Sequence, residues 1–318
     1  MTQATLFKKQ VRTQAKPFLK WAGGKSQLIR QIESHFSEEI LNTKKIKKYF
    51  EPFIGGGALL IYLLQNYSID EVYISDINLD LINAYKVIRD NPEELIIHLR
   101  EYQNLYNDTP EENRQKLFLE MREIFNLSCE YPLGDALKTP TLLGWEATII
   151  KTAQLIFLNK TCFNGLYRLN SKGKFNVPFG KYINPKITDE ENILSLSQLL
   201  KDVNITHSSY KECLSEIDSS SFVYLDPPYR PLNKTASFNN YTQFAFGDRE
   251  QIELAEFCKI VYLQGGKFLL SNSCPDDDFF QDLYSGFEIN KIKATRSINS
   301  NGNLRGKIDE LLIRNYSL

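Results

Sequence analysis

The sequence has 318 residues, of which 42% are hydrophobic and 24% are charged, values typical of a globular protein with one large domain or a domain carrying an insertion. Its longest apolar run, residues 58–64, is too short to cross a bilayer, and the polar, basic amino terminus lacks the apolar stretch of a signal peptide. Five scattered cysteines and three isolated histidines argue against a disulfide framework and a metal cluster. We therefore expect a cytoplasmic protein that uses no metal.

Basic residues are distributed unevenly along the chain, although the formal net charge is only −1. Three segments, residues 1–32, 151–186 and 291–307, together hold half of the 38 Lys and Arg residues and none of the 39 Asp and Glu residues. A single run of one sign is usually a solvated face. Three acid-free segments, two of them beside glycine and aromatic residues, instead favour a surface that binds nucleic acid.

The first elements predicted along the chain form a strand–helix–strand unit. Residues 48–53 indicate a short strand, Gly55-Gly56-Gly57 a tight turn, 58–65 an apolar helix and 71–75 a second strand. This order is typical of a doubly wound α/β sheet. A further helix is predicted over residues 80–89.

The pattern then stays helical to about residue 160, after Asn91-Pro92 ends the previous helix. Apolar residues recur at helical spacing over 111–125 and 145–158. Residues 159–186, rich in Asn, Gly, Lys and aromatic residues, indicate a loop or short hairpin rather than core. In the helix predicted over 111–125, the residues expected in the core are Leu117, Phe118, Met121, Ile124 and Phe125.

Strand patterns return in the last third of the chain. A buried-type strand over 221–225 leads into Asp226, and another is predicted over 267–270. Segments 287–293 and 310–316 are predicted to close the sheet as a pair.

Strands on both sides of a helical stretch predict one α/β, Rossmann-like sheet that is split by an inserted, mostly helical module. The predicted boundaries are residues 1–90 and 195–318 for the sheet domain and 91–194 for the inserted module.

A glycine turn and a distant acid indicate a nucleoside site. Glu51-Pro52-Phe53-Ile54-Gly55-Gly56-Gly57 follows the first strand, and glycines there let the backbone approach a ligand closely. Asp76 ends the second strand, where an acid accepts hydrogen bonds from ribose hydroxyls. The spacing is not G-x-G-x-x-G, so the pair favours an adenosine-bearing ligand without a pyrophosphate. For the glycines alone, a plain strand-to-helix turn is equally compatible.

Asp226-Pro227-Pro228-Tyr229 follows the strongest strand pattern in the sequence. Two prolines restrict the backbone and remove two N–H donors, so the loop is stiff. The Asp226 carboxylate and the Pro227 carbonyl can accept both hydrogens of a planar amine, and Tyr229 can stack on its ring. The alternative is a proline-rich turn with an incidental acid.

Residues 18–25, Phe-Leu-Lys-Trp-Ala-Gly-Gly-Lys, predict either a turn before a helix with a core tryptophan or a basic, aromatic cover over the ligand.

Together these segments resemble the Dam family of adenine-N6 DNA methyltransferases (the D12 class, alpha group), in which a target-recognition module lies between the cofactor motif and the D-P-P-Y loop. The resemblance runs in order through nearly the whole chain and includes 164–182, 271–273 and 296–312. Two departures are an extension of the first fifteen residues and additional sequence over 126–145.

The resemblance implies S-adenosylmethionine as methyl donor, with cofactor contacts from Trp21, Lys25, Phe53, Gly55, Asp76 and Asp226. It implies that Asp226, Pro227 and Tyr229 hold the target adenine. For members that read GATC, it implies DNA contacts from Lys20, Phe163, Asn164, Leu166, Arg168, Pro178 and Tyr182. In that set Lys20 and Arg168 read guanines and Phe163 enters the base stack; some members have Tyr at the position of Phe163.

Four other functions are compatible with parts of this pattern. An N4-cytosine methyltransferase shares the amine chemistry but usually begins the loop with Ser rather than Asp226. An RNA adenine-N6 methyltransferase shares the loop but not a duplex-reading hairpin around Arg168. A nucleotide-dependent oxidoreductase and a non-catalytic DNA-binding module each leave the Asp-Pro-Pro-Tyr loop unexplained. The partner expected is duplex DNA, with no membrane, for a monomer or weak dimer. The sequence is compatible both with a cognate restriction endonuclease as functional partner and with an enzyme that acts alone.

Overall fold

A computed structural model of the chain describes residues 14–21, 23–127, 142–230, 246–295 and 307–318. The amino-terminal extension up to residue 13, most of the additional segment 126–145 and residues 296–306 of the third basic segment lie outside the described residues, as does Ala22. The centre of the described part is a seven-stranded sheet. Its strands are β1 (Lys45–Glu51), β2 (Ser68–Asp76), β3 (Val203–His207), β4 (Ser221–Leu225), β5 (Lys267–Ser273), β6 (Glu288–Thr295) and β7 (Lys307–Arg314).

The spatial order of the strands is β3-β2-β1-β4-β5-β7-β6. Strands β1 to β5 pair in parallel, whereas β7 lies antiparallel between β5 and β6. Strand β2, the next along the chain, therefore lies on one side of β1, and the later strand β4 lies on the other side of β1. This switch point is where α/β sheets bind ligands, at the carboxyl ends of the strands. The mixed α/β architecture is that of an S-adenosylmethionine-dependent methyltransferase, as the sequence predicts.

Helices pack on the sheet and form the inserted stretch. They are α1 (Ile29–Glu33), α2 (Glu38–Thr43), α3 (Ala58–Asn66), α4 (Leu79–Asp90), α5 (Pro92–Asp108), α6 (Arg114–Leu127), α7 (Leu142–Thr161), α8 (Glu190–Leu200), α9 (Asp248–Leu263) and α10 (Phe279–Leu283). None of the helices in the described ranges is both long enough and apolar enough to cross a membrane.

Local sequence explains several of these boundaries. The Asn78 side chain accepts a hydrogen bond from the Leu81 N–H (3.0 Å) and so caps α4. Asn91-Pro92 ends α4 as predicted, but Pro92 also begins α5 one residue later. Proline is tolerated in the first turn of a helix because its missing N–H would have no partner there.

Strand β4 is buried at all five positions because it lies between β1 and β5 with both faces covered. The prediction over 221–225 is therefore confirmed residue for residue. The predicted closing pair is also confirmed, since β6 and β7 are antiparallel neighbours. Seven elements had no individual prediction, namely α1, α2, α5, α8, α9, α10 and β3.

Two expectations about the core are wrong. Ile124 is 49% exposed, because Phe118, Met121 and Phe125 form the buried face of α6 and Ile124 points away from it. Residues 159–186 do form a short hairpin, with antiparallel bridges between Cys162 and Phe179 and between Leu169 and Phe175. Yet four of its residues are core, namely Cys162, Tyr167, Phe175 and Val177.

The hairpin is anchored because it packs on α6 and α7. The Asn126 side chain accepts a hydrogen bond from the Phe175 N–H (2.7 Å) and donates one to the Phe175 carbonyl (3.0 Å). Helix α7 in turn packs against α4, α5 and α6. The inserted helices therefore share one continuous hydrophobic core with the helix that follows β2.

Candidate active site

Three sequence motifs meet at the carboxyl edge of the sheet. Gly55 follows β1, Asp76 ends β2 and Asp226 follows β4. Because β1 lies between β2 and β4, residues far apart in sequence become neighbours at the switch point.

The glycine turn is shaped by the residues around it. Gly55 has φ +46°, and its N–H donates a hydrogen bond to the Asp76 carboxylate (3.2 Å). The Tyr85 hydroxyl donates to the Gly55 carbonyl (3.0 Å). A Cβ on Gly55 would lie 2.9 Å from the Trp21 ring, closer than real Cβ contacts allow. The turn therefore needs glycine for both its backbone conformation and the approach of Trp21.

Asp76 is a partly exposed carboxylate that the backbone holds in place. It accepts hydrogen bonds from the N–H groups of Gly55 (3.2 Å) and Asn78 (2.9 Å). Burial raises the pKa of Asp76 to about 6, and these backbone N–H groups oppose the rise. Because a carboxylate has about four acceptor positions, two backbone bonds leave capacity for a ligand's hydroxyls.

Trp21 lies between the glycine turn and the hairpin. One side of the indole contacts Gly55 and Gly56, and its ring stacks on Tyr167 with centroids 5.0 Å apart. This residue therefore touches the two regions that the sequence assigns to the cofactor and to DNA.

The Asp-Pro-Pro-Tyr loop gathers opposite charges in a confined space. Lys25, only 5% exposed, forms an ion pair with Asp226 (2.8 Å), and its ammonium lies 4.7 Å from the centroid of the Tyr229 ring. Burial raises the pKa of Asp226, while Lys25 opposes that rise. Lys25 thus favours the ionised form of the carboxylate.

A buried polar network supports the loop from behind. The Gln251 side chain, fully buried on α9, donates to the Pro228 carbonyl (3.2 Å) and accepts from the Asn272 amide (2.9 Å). Within the described residues no donor reaches the neighbouring Pro227 carbonyl, which leaves that oxygen available as an acceptor. Arg230 follows the loop and pairs with Asp248 (2.6 Å) and Asp277 (2.7 Å).

Two further acids near the loop have no role in the sequence-based prediction. Glu310 on β7 accepts a hydrogen bond from the Tyr229 hydroxyl (2.7 Å). Glu51 is 3% exposed and accepts one from Tyr49 (2.7 Å); burial raises the pKa of Glu51 to about 8. Glu51 stands inside the quoted glycine motif, whereas no local pattern distinguishes Glu310 from other strand residues.

Phe53 forms an aromatic wall next to the glycine turn. Its ring is 5.1 Å from the Tyr210 ring and 5.9 Å from the Phe246 ring, measured between centroids. The site therefore has an apolar side at Phe53 and a charged side at Asp226.

The hairpin presents the predicted DNA-contacting residues on its surface. Phe163 is 51% exposed, and Asn164 beside it adopts a left-handed conformation with φ +57°. Arg168 is exposed and donates to the Asn176 side chain (2.7 Å) and to its carbonyl (3.0 Å). Pro178 is exposed, while Leu166 is half-buried.

Lys20 joins this surface from the amino-terminal segment. Its aliphatic chain covers Gly165, and its ammonium lies 5.7 Å from the centroid of the half-buried Tyr182 ring. The described structure thus brings Lys20 together with the hairpin residues, as the sequence predicts, although they are more than a hundred positions apart.

Asn159 connects these two segments. It is 1% exposed on α7; its side chain accepts from the Lys20 N–H (2.9 Å) and donates to the carbonyls of Lys20 (2.9 Å) and Gly165 (2.9 Å). Sequence reasoning missed Asn159, because an asparagine near a helix end has no distinguishing local signal.

The model of a family described as D12 class N6 adenine-specific DNA methyltransferase matches residues 21–298. The chain belongs to this family.

Curated relatives resemble the chain along almost its full length. The type II methyltransferase M.MjaIII of Methanocaldococcus jannaschii is 47% identical over 95% of this chain and 100% of its own. The type II methyltransferase M1.LlaDCHI of Lactococcus lactis is 36% identical over 95% of each chain. The DNA adenine methylase of Escherichia coli is 32% identical over 93% of each chain. The D12 protein is thus an adenine-specific DNA methyltransferase, which confirms the activity predicted from the sequence and sets aside the four alternatives.

Membership of the D12 class implies S-adenosylmethionine as the methyl donor and DNA as the substrate. The residues at the switch point fit that donor. Asp76 keeps free acceptor positions for ribose hydroxyls, the glycine turn exposes backbone, and Phe53 offers an apolar side. Among the residues in the described ranges, no cluster of three or more metal-binding side chains occurs.

Proposed function

We propose that the D12 enzyme methylates the N6 amine of an adenine flipped out of duplex DNA, within the sequence GATC, and that Asp226, Pro227 and Tyr229 hold that adenine. One observation carries the catalytic part of the proposal. An acid on a proline-stiffened loop stands at the end of the central strand, beside the glycine turn, with an aromatic ring and a carbonyl that no donor in the described residues reaches next to it. Because a base inside a duplex is out of reach, the adenine must leave the stack.

The loop acts by positioning and by electrostatics. The N6 amine of adenine is a poor nucleophile because its lone pair is delocalised into the ring. The Asp226 carboxylate and the Pro227 carbonyl accept its two hydrogens, which draws the amine towards tetrahedral geometry and stabilises the positive charge that develops on it. S-adenosylmethionine, when bound, supplies an electrophilic methyl group, so no covalent enzyme intermediate is needed.

The proposed cofactor contacts are Trp21, Lys25, Phe53, Gly55, Asp76 and Asp226. Their positions around the switch point support this set, since Asp76 and Asp226 end neighbouring segments of the sheet and Lys25 contacts Asp226 directly. Lys25 also opposes the rise in the pKa of Asp226 that burial causes, and so favours the ionised, acceptor form that the reaction requires.

Substitution of Asp226 tests the catalytic assignment. Asp226→Ala should lower the single-turnover methylation rate at least about a hundredfold, because the main acceptor for the amine is lost. DNA binding, measured by fluorescence anisotropy, should stay within about threefold of wild type. Asp218→Asn is the matched control: Asp218 precedes β4 at the opposite edge of the sheet, where it pairs with Lys48. Near-normal turnover of Asp226→Ala would refute the assignment.

We further propose that Lys20 and Arg168 read the two guanines of GATC, that Phe163 enters the base stack, and that Asn164 contacts a phosphate. Leu166, Pro178 and Tyr182 would complete the contacts to the bases. The exposed positions of Arg168 and Phe163 support this, as does the hydrogen bonding that holds the Arg168 guanidinium in one orientation. Arginine binds guanine O6 and N7 through two parallel hydrogen bonds.

Transfer of a tritiated methyl group to matched duplexes tests the sequence preference. One duplex contains a single GATC, and the others differ from it by one base pair within that site. We expect strong labelling of the GATC duplex alone. Equal labelling of all duplexes would refute the GATC proposal while leaving adenine methylation intact.

We also propose which parts of the chain bind the cofactor and which recognise the DNA. Residues 1–90 and 195–318 would bind the cofactor, and residues 91–194 would recognise the DNA target.

The name type II methyltransferase, which two relatives bear, favours a restriction endonuclease as functional partner. DNA from cells that express the enzyme should then resist cleavage by an endonuclease that cuts unmethylated GATC. A monomer or weak dimer and a cytoplasmic location stay predictions.

A further inference from the structure

Glu310 has an unusual location for a strand residue. It lies on β7, opposite Ser273 of β5 and Ile292 of β6, and is 8% exposed. Because β7 runs antiparallel to β5, its amino-terminal residues lie at the edge of the sheet where the parallel strands end. The topology therefore carries Glu310 to the Asp-Pro-Pro-Tyr loop, 81 positions after Tyr229.

The contact between Glu310 and Tyr229 is short and shielded. The Tyr229 hydroxyl donates to Glu310 Oε2 at 2.7 Å, and no other donor among the described residues reaches the Glu310 side chain. A hydrogen bond to a charged acceptor is stronger than one between neutral groups. Glu310 is buried and Tyr229 is half-buried, which limits screening by salt.

Tyr229 is thereby held at both of its ends. On the backbone side, Gln251 binds the carbonyl of Pro228, the residue before it (3.2 Å). At the far end of the ring, Glu310 binds the hydroxyl, and Lys25 lies over the ring at 4.7 Å from its centroid. A ring that is fixed in this way offers a stacking surface without the entropy cost of ordering it when the substrate arrives.

We propose that Glu310 is a positioning residue for methyl transfer: it holds the Tyr229 ring, through the hydroxyl hydrogen bond, where the flipped adenine stacks. The inference rests on the proposed stacking role of Tyr229. It predicts that Glu310 affects the chemical step and the environment of the extruded base while leaving the affinities for DNA and cofactor nearly unchanged.

A double-mutant cycle tests whether Glu310 acts through Tyr229. Tyr229→Phe removes the hydroxyl, Glu310→Gln keeps an acceptor without the charge, and Glu310→Leu removes the acceptor. In single-turnover methylation with saturating enzyme and cofactor, we expect Glu310→Leu and Tyr229→Phe to be about ten- to a hundredfold slower than wild type, and Glu310→Gln less than about tenfold slower. The double variant Tyr229→Phe/Glu310→Leu should be no slower than Tyr229→Phe, because each substitution removes the same hydrogen bond.

A spectroscopic readout separates positioning from general stability. Duplex DNA with 2-aminopurine at the target adenine reports the stacking of the extruded base by its fluorescence. We expect the emission of the bound complex to differ from wild type in Glu310→Leu and Tyr229→Phe, and to return towards wild type in Glu310→Gln. The isosteric Glu310→Gln keeps the test informative if the leucine variant does not fold.

Asp309→Asn is the matched control, because Asp309 is the preceding acid on the same strand and pairs with Lys293 instead. It should match wild type in rate and in emission. Multiplicative rate losses in the double variant, or unchanged 2-aminopurine emission in Glu310→Leu, would overturn the inference. A wild-type enzyme that transferred no methyl group to adenine would instead contradict the proposed function.

Discussion

The acids of this enzyme differ in protonation because their surroundings differ. Burial raises the pKa of Asp76 to about 6 and that of Glu51 to about 8. Glu33 lies apart from the site; burial would raise its pKa too, but hydrogen bonds from Tyr67, Tyr62 and Lys44 lower it to about 2. At neutral pH, Asp76 is therefore a carboxylate that loses its charge on mild acidification, whereas Glu51 is mostly protonated.

The first prediction concerns Asp76 and cofactor affinity. Hydroxyl donors prefer the ionised carboxylate, so binding of S-adenosylmethionine should be weak below pH 6, strengthen as the pH rises through about 6, and level off above it. Binding should also release a proton near pH 6, because the ligand lowers the pKa of Asp76. Isothermal titration calorimetry between pH 5 and 8, in buffers of different ionisation enthalpy, measures both effects.

Asp76→Asn is the control for the pH dependence of cofactor affinity. The asparagine has one acceptor oxygen at all pH values, so its cofactor affinity should be weaker than wild type at pH 8 and nearly independent of pH. A wild-type affinity that stays flat across pH 6 would contradict the assignment of Asp76.

At the scale of elements, the site depends on contacts that join segments distant in sequence. Helix α7 carries Asn159, which binds the backbone at Lys20 and at Gly165, and Trp21 stacks on Tyr167 of the hairpin. The segment that contacts the glycine turn is therefore the same one that completes the hairpin surface. The regions proposed to bind the cofactor and the DNA are therefore both held by Asn159.

The second prediction concerns the loss of the Asn159 side chain. Asn159→Ala should lower the free energy of unfolding by about 3 kcal/mol, because buried backbone groups at Lys20 and Gly165 lose their partners. It should also weaken both cofactor and DNA binding, since both surfaces contain the loosened segment. Chemical denaturation and the two binding titrations measure these changes.

Asn66→Ala is a suitable comparison for that variant. Asn66 is exposed at the end of α3, and its side chain donates to the Tyr62 carbonyl of the same helix (2.7 Å). Its loss should change stability by less than about 0.5 kcal/mol. If Asn159→Ala behaved like Asn66→Ala in all three measurements, the proposed link would be wrong.

At the scale of the whole molecule, the distribution of charge matters more for DNA binding than the net charge. A net charge of −1 would not attract DNA, yet two of the acid-free segments contribute Lys20 and the exposed Lys181 to one surface. Acids concentrate elsewhere, for example in the loop after β5 at Asp276, Asp277 and Asp278. This separation of charges along the chain predicts a basic surface around the hairpin despite the neutral balance.

The third prediction is a steep salt dependence of DNA binding. If about six phosphates are contacted, affinity for duplex DNA should fall about a thousandfold between roughly 50 and 200 mM salt. Lys181→Gln should reduce the slope of log affinity against log salt by about one, with little change in sequence preference. Fluorescence anisotropy at a series of salt concentrations measures the slope.

Lys267→Gln provides the reference for that slope. Lys267 begins β5 at the opposite edge of the sheet and pairs with Glu39 (2.8 Å), so it should leave the salt slope unchanged. Equal effects of both substitutions would mean that the hairpin surface is not the DNA-binding side.

The sequence alone was sufficient for the features that depend on a few adjacent residues. The strand over 221–225, the glycine turn and the stiff loop at Asp226 are short-range patterns, because burial on both faces, positive φ and proline geometry each leave a local mark in the chain. The fold class and the methyltransferase activity followed from the order of these patterns and from the family they resemble.

Only the tertiary structure revealed the residues that hold these parts in place. Glu310 reaches Tyr229 because β7 is inserted antiparallel, Gln251 reaches Pro228 from α9, and Asn159 joins two segments that flank the inserted helices. Each is a polar residue on an ordinary strand or helix, with no local pattern to mark it. Its role depends on which distant backbone or side chain lies within hydrogen-bonding distance, and that is decided by strand order and helix packing.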